Sequence, residues 1–229
     1  MSRTVELQRM LRLTLQKLGA LAEEVVFVGG ATVPCYVTDP AAPDARTTMD
    51  VDLVVSTLKK GDYHAFEERL REQGFRQDMQ DGVICRWRFG DRLLVDVMPT
   101  DTSILGFTNR WYKSGYANAM SYDLGGGDLI RIFRLEHFVL SKWEAHKDRG
   151  ADDPVMSHDL EDVVTVINGA ESSRQSLTET ASPERDALAD MARTMLGNES
   201  LLEACEWHSA RDAPTQFAEF VSILRSLDH

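Results

Sequence analysis

The segment "MDVDLVVS" (49–56) limits the possible folds of this chain more than any other, because it sets two acids in an apolar run. A short run of β-branched and aliphatic residues predicts a buried β-strand over 50–56. Residues two apart on a strand point to the same face, so the side chains of Asp50 and Asp52 are expected to be neighbours. Two adjacent carboxylates repel each other unless a cation lies between them. The segment therefore predicts a strand with a cation-binding face.

Two further features suit a site that binds a cation together with phosphate. Asp96 lies between two valines in "LLVDVMP" and would add a third carboxylate from a neighbouring strand. Gly29 and Gly30 follow the strand "VVFV" and open a predicted helix over 29–36, where the backbone can approach a phosphate. Singly, a Gly-Gly pair is typical of a turn, an Asp-x-Asp sequence of a solvated strand start, and an isolated strand aspartate of an exposed position. Together they favour Mg²⁺ bound by carboxylates and phosphate, which supports in-line phosphoryl displacement.

Strand and helix signals are distributed unevenly along the chain, and they predict an α+β fold. Helices are predicted over 5–18 and 62–75, and strands over 25–28, 50–56, 120–124 and 129–133, with a hairpin over 83–99 that turns at Gly90-Asp91. After Arg134 the pattern predicts helices over 135–149, 157–168, 183–196 and 214–227, with a loop over 171–184. We expect an α/β catalytic domain over 1–133 and a helical domain over 134–229 that completes a nucleotide cleft.

Composition excludes several classes of protein. The formal net charge of −12 argues against a surface that coats nucleic acid, so a polyanionic substrate would need a local basic patch or metal ions. No apolar run is long enough for a transmembrane helix, and we expect no membrane partner. Three widely spaced cysteines and an N-terminal segment without a signal-peptide pattern predict a cytoplasmic protein.

Five stretches of the chain occur in the order found in a known superfamily. They are "VGGATVPCY", "RTTMDVDLVVS", "LVDVMP", "LEHFVLSKWEAHKDRG" and "SHDLEDVVTVI", between Val26 and Asn168. This order resembles the polymerase-β nucleotidyltransferase superfamily. It is most similar to the AbiEii-type nucleotidyltransferases of toxin–antitoxin and abortive-infection (phage-defence) systems. The resemblance implies a nucleotidyltransferase-like mixed sheet with flanking helices, followed by a helical half.

The resemblance also implies roles for individual residues. The metal ligands would be Asp50, Asp52 and Asp96, and the catalytic set would add Lys142 and Asp159. The nucleotide would be bound by Gly29, Gly30, Thr48 and Lys142.

Helical periodicity gives Lys142 a separate interpretation. Lys142 and His146 fall on the apolar stripe of the predicted helix 135–149, and a buried lysine needs a partner. Asp159 lies at the margin of the apolar face of the next helix, and Asp162 is expected further out. The sequence therefore predicts a Lys142–Asp159 ion pair, which could be purely structural or could contact a triphosphate.

The leading hypothesis is a metal-dependent nucleotidyltransferase that moves NMP from an NTP to a hydroxyl acceptor. Its cofactor would be Mg²⁺ or Mn²⁺, and Asp96 would act as the base. The acceptor stays open among an RNA 3′ end such as that of tRNA, a protein and a small molecule, and an antitoxin protein is a further expected partner. One alternative is a metal phosphohydrolase that uses His158 and Asp159 with His137 and His146. Another is a non-catalytic module that senses nucleotide or binds a partner.

Overall fold

A computed structural model describes residues 2–40, 42, 44–57, 60–79, 82–209 and 214–228 of the 229-residue chain. The chain divides into two compact units. The first comprises Met1–Pro34 and Arg46–Arg134, and the second comprises Cys35–Ala45 and Leu135–His229.

The first unit is built on a mixed seven-stranded sheet. Its strands are β1 (Val25–Val28), β2 (Asp50–Val55), β3 (Arg76–Gln77), β4 (Arg86–Phe89), β5 (Leu93–Pro99), β6 (Met120–Asp123) and β7 (Leu129–Ile132). The strand order is β3-β4-β5-β2-β1-β7-β6. β2 is parallel to β5 and β1 is parallel to β7, whereas the other neighbours are antiparallel. All residues of β1 are buried, so the apolar centre of the sheet forms the core of this unit.

Helices accompany the sheet within the first unit. They are α1 (Arg3–Leu18), α2 (Lys60–Glu72), α3 (Thr102–Leu105) and α4 (Tyr112–Ala117). α1 buries Leu7, Leu11 and Leu18, as its periodicity predicts, and Gly19 caps its C-terminal end. The helix predicted over 29–36 is instead a 3₁₀ helix over Gly30–Cys35 that contains Pro34. A proline ring clashes with the carbonyl four residues earlier, and that clash disfavours a regular α-helix here.

The second unit consists of helices and their connecting segments, with no β-strand among its described residues. Its helices are α5 (Leu135–Arg149), α6 (His158–Gly169), α7 (Ser173–Thr178), α8 (Glu184–Leu196), α9 (Glu199–His208) and α10 (Pro214–Leu227), with a short 3₁₀ helix over Pro154–Met156. The loop prediction for 171–184 is wrong over α7, because the side chain of Leu177 is fully buried and stabilises that turn of helix. α9 was not predicted, although Asn198 caps it by accepting a hydrogen bond from the Leu201 amide.

The segment Cys35–Ala45 belongs to the second unit, although its sequence position lies within the predicted first domain. The Thr38 and Asp39 amides both donate to the Gly169 carbonyl, at 2.8 and 3.0 Å. The Tyr36 ring packs on Phe138, with ring centroids 4.7 Å apart. These contacts hold the segment against the helices. The division into a catalytic domain over 1–133 and a helical domain over 134–229 that completes a nucleotide cleft stays a prediction.

Within the described ranges, no helix combines the length and apolar character needed to cross a bilayer.

Candidate active site

Three carboxylates lie together on one face of the sheet in the first unit. In the parallel pairing of β2 with β5, Asp52 is directly beside Asp96. Asp50 is two residues before Asp52 on β2 and therefore projects to the same face. We call Asp50, Asp52 and Asp96 the acid cluster. The structure thus brings together the three acids that the sequence predicted to be neighbours.

Arg86 is the residue of this site that the sequence analysis missed. It lies on β4 directly opposite Asp96. Its Nε donates to Asp96 Oδ1 and its Nη2 to Asp96 Oδ2, both at 2.8 Å, and Nη2 also donates to Asp50 Oδ2 at 2.7 Å. The side chains of Arg86 and Asp96 are only 15% and 11% exposed. A permanently charged, largely buried guanidinium therefore joins two of the three acids.

Thr48 lies next to the acid cluster. Its hydroxyl donates to Asp50 Oδ1 at 2.8 Å, so each oxygen of Asp50 accepts a hydrogen bond from a protein group. Thr48 therefore orients Asp50. Direct contact between Thr48 and a nucleotide stays a prediction.

The two glycines at the end of β1 differ in what constrains them. Gly29 has φ +73°, a value that L-residues with side chains rarely adopt. A Cβ atom at this position would lie 1.8 Å from Asp52 Oδ2. Gly29 is therefore required for Asp52 to fit against the backbone. Gly30 is buried and begins the six-residue 3₁₀ helix, and its contact with phosphate stays a prediction.

Lys142 and Asp159 lie in the second unit, within a buried network of ion pairs. Lys142 Nζ is 3.0 Å from Asp159 Oδ1 and 2.7 Å from Asp162 Oδ2. Arg149 adds two hydrogen bonds to Asp159, at 2.7 and 3.0 Å. The predicted Lys142–Asp159 pair is present. The outward position expected for Asp162 is wrong, because α6 packs against α5, α9 and α10 and buries more than its apolar stripe.

The charges of this network determine how Asp159 ionises. Burial by itself would raise its pKa, but the charges and hydrogen bonds of Lys142 and Arg149 outweigh burial and lower the pKa to about 2. Asp159 is therefore an anion at neutral pH, and two carboxylates compensate Lys142. This geometry provides the partners that a structural role requires. A catalytic role for either residue stays a prediction.

Comparison with known proteins gives a similarity of fold. No protein-family model and no curated protein matches the chain. Among solved structures, the crystal structure of an antigenic nucleotidyltransferase-like protein from Paracoccidioides brasiliensis is similar. The match has a TM-score of 0.53 and 21% sequence identity, and it covers 87% of this chain and 93% of that chain. This chain has a nucleotidyltransferase-like fold. The similarity supports the predicted α+β class and the nucleotidyltransferase-like fold. Membership of the AbiEii-type family is not confirmed.

The acid cluster contains some of the oxygen ligands that the expected Mg²⁺ requires. Mg²⁺ at nucleotide sites is held by one or two carboxylates together with substrate phosphates and water. Asp50 and Asp52 provide oxygen donors of that kind. Among the described residues, however, no group of three or more His, Cys, Asp or Glu side chains is arranged to hold a metal ion. Two carboxylates of the acid cluster therefore fit part of such a coordination shell, and Arg86 already binds Asp96 and Asp50.

The histidines of the phosphohydrolase alternative have separate partners. His146 Nδ1 is 2.8 Å from the Ser157 hydroxyl, and burial lowers the pKa of His146. His137 Nε2 is 3.2 Å from Glu184 Oε1, and His158 Nδ1 is 3.4 Å from Glu161 Oε2. These contacts do not converge on one centre in the described part of the chain, so the geometry does not favour this alternative.

Proposed function

We propose that this chain is a metal-dependent nucleotidyltransferase that transfers NMP from an NTP to a hydroxyl acceptor and releases pyrophosphate. The observation that carries the proposal is the acid cluster, in which Asp52 and Asp96 are side by side on adjacent strands of a nucleotidyltransferase-like fold. Such a cluster suits chemistry that consists mainly of positioning and charge neutralisation.

In this proposal the three acids have different tasks. Asp50 and Asp52 would hold Mg²⁺ or Mn²⁺, which when bound supplies positive charge against the triphosphate. Thr48 keeps Asp50 in place through its hydroxyl. Asp96 would accept the proton of the attacking hydroxyl as the oxygen–phosphorus bond forms and the bond to pyrophosphate breaks. Because Asp96 is buried, that proton transfer would take place away from bulk water.

The contributions of Gly30, Lys142 and Asp159 are the finer parts of the proposal. Gly30 would let the backbone approach phosphate, and Lys142 would neutralise triphosphate charge. For Lys142 this requires an exchange of its buried carboxylate partners for phosphate oxygens. The family resemblance supports these roles, whereas the ion pairs of Lys142 and Asp159 support a structural role.

The acceptor that we propose is a short RNA end, such as the 3′ end of a tRNA. A single hydroxyl at a chain end requires only a local binding patch, which is compatible with the net charge of −12. In that case the protein would act as the toxin-like component of a toxin–antitoxin or phage-defence system, with an antitoxin as its protein partner.

The test of this function is a transfer assay with each radiolabelled NTP, Mg²⁺, total cellular RNA and a protein lysate. We expect label in one class of acceptor with the wild-type chain, and none with Asp52→Asn or with EDTA. Asp91→Asn is the matched control, since Asp91 is exposed in the β4–β5 turn. Transfer that persists undiminished in Asp52→Asn would remove the acid cluster from the reaction.

A second candidate function is a non-catalytic module that senses nucleotide or binds a partner. The observation that favours it is Arg86, whose guanidinium forms ion pairs with both Asp50 and Asp96. Nucleotide binding by the wild-type chain, without transfer to any acceptor in the same assay, would support this candidate.

A further inference from the structure

Arg86 provides the positive charge that the sequence argument assigned to a metal ion. We infer that Arg86 is a built-in counter-cation of the acid cluster, and that a divalent cation binds there only when the guanidinium releases Asp50. The inference rests on the proposed function for its biological meaning. The binding itself can be tested without any activity.

The hydrogen bonds define what a cation must displace. Asp50 accepts from Thr48 at Oδ1 and from Arg86 at Oδ2, and Asp96 accepts from Arg86 at both oxygens. A divalent cation on Asp50 Oδ2 would lie within roughly 5 Å of the guanidinium, where like charges repel strongly in a partly buried site. Cation and guanidinium therefore compete for the same oxygen.

The position of Arg86 is set by the sheet. β4 and β5 form a hairpin in which Arg86 is opposite Asp96 and Arg88 is opposite Leu94. Because residues two apart share a face, Arg88 projects to the same side as Arg86. Arg88 instead binds Asp78, with its Nε 2.9 Å from Asp78 Oδ2. The strand therefore carries two arginines, each held by an acid, and the one opposite Asp96 is bonded to the acid cluster.

Two consequences follow from a built-in counter-cation. Without metal, Arg86 limits repulsion among the three carboxylates, so its removal destabilises the fold. With metal, Arg86 opposes binding, so its removal strengthens the affinity for the cation. A residue with only a structural role would show the first effect without the second.

The experiment measures Mn²⁺ binding to the full chain by electron paramagnetic resonance of free Mn²⁺. It compares wild type, Arg86→Gln and Arg88→Gln, with melting temperatures in EDTA. We expect Arg86→Gln to melt lower in EDTA and to bind Mn²⁺ about tenfold more tightly than wild type, because removing one nearby like charge is worth at least a decade in Kd. Arg88→Gln should bind Mn²⁺ as wild type does.

Unchanged or weaker Mn²⁺ affinity in folded Arg86→Gln would overturn the inference, as would no detectable binding in either protein. If Arg86→Gln does not fold, the wild-type chain provides the readout. The ¹⁵N–¹H signal of Arg86 Nε can be assigned by its loss in Arg86→Lys. The Arg86 signal should shift when Mg²⁺ is titrated into the protein in the absence of Mn²⁺, while the Arg88 signal stays in place. The inference would be contradicted if the Arg86 signal stayed in place up to a roughly 50-fold molar excess of Mg²⁺ over protein.

The inference and the proposed function can fail separately. If wild type transfers nucleotide while Arg86→Gln binds Mn²⁺ as wild type does, the inference fails and the function stands. If Arg86→Gln gains Mn²⁺ affinity while wild type transfers no label, the inference stands and the function fails.

Discussion

At the scale of single residues, Gly29 is held by two separate constraints. Its φ of +73° excludes most side chains, and Asp52 occupies the space that a Cβ would need. The glycine was predicted from the sequence to contact phosphate. The structure offers a second reason for a glycine here, because only a residue without a side chain leaves room for Asp52.

We predict that Gly29→Ala lowers the free energy of unfolding by more than the backbone strain of an L-residue at this positive φ. An L-residue in the left-handed region costs about 1–2 kcal/mol. At Gly29 the displacement of Asp52 adds to that cost. Gly126→Ala is the matched control, because Gly126 has φ +75° and nothing within 4 Å of the added Cβ. Urea unfolding measures both free energies, and equal losses would show that the contact with Asp52 is not a constraint.

Lys142 illustrates how one lysine can be compensated twice. Asp162 and Asp159 both bind its ammonium, and Arg149 also binds Asp159. Replacement of the lysine therefore leaves Asp159 with a cation, whereas Asp162 loses the nearby ammonium.

We predict that Lys142→Met destabilises the fold by about 3–5 kcal/mol, the usual cost of breaking a buried ion pair. Lys142→Met combined with Asp162→Leu should recover much of that loss in urea unfolding. If Lys142 also binds triphosphate, the double variant should still lose roughly ten- to a hundredfold in kcat/KM for the NTP. Near wild-type transfer by the stable double variant would assign Lys142 a structural role only.

At the scale of elements, α7 shows how little local signal a helix can carry. Its six residues, "SRQSLT", are mostly polar, and Leu177 is the buried apolar residue among them. Thr178 and Thr180 also return hydrogen bonds to the carbonyls of Arg174 and Ser176, four residues earlier. Packing of Leu177 together with these side-chain hydrogen bonds therefore stabilises a helix that its sequence barely signals.

We predict that Leu177→Ala costs about 2–5 kcal/mol, as for other fully buried leucines. Gln175→Ala on the exposed side of α7 should change the free energy of unfolding by less than about 0.5 kcal/mol. Chemical denaturation of the two variants makes the comparison. A small effect of Leu177→Ala would mean that α7 does not contribute to the core.

At the scale of the whole molecule, the chain has an excess of acidic residues, so a cation that binds the folded state is expected to stabilise it. The net charge is −12, and three of the acids lie in the acid cluster. A ligand that binds only the folded chain raises its stability by mass action.

We predict that Mg²⁺ with NTP raises the melting temperature, by the equivalent of about 2.7 kcal/mol at a hundredfold excess over Kd. Asp52→Asn should remain folded and lose this shift, while Asp91→Asn should keep it. Thermal denaturation with and without EDTA provides the measurement. An undiminished shift in Asp52→Asn would place the binding elsewhere.

The sequence by itself determined the features that depend on local periodicity. The bounds predicted for α5 and α10 match the structure, and the spacing of Asp50 and Asp52 on a strand already places them on one face. Side-chain period and capping act over a few residues, so a single sequence contains them.

The tertiary structure decided the features that depend on non-local neighbours. The hairpin that carries Arg86 and Asp96 was predicted, but its pairing register determines that the guanidinium meets Asp96. The position of β2 beside β5 then brings Asp50 within reach of Arg86. Packing of α6 on several helices buries Asp162, and the contact of Tyr36 with Phe138 joins a loop to the second unit. Strand order and helix packing join residues far apart in the chain, and no local period specifies them.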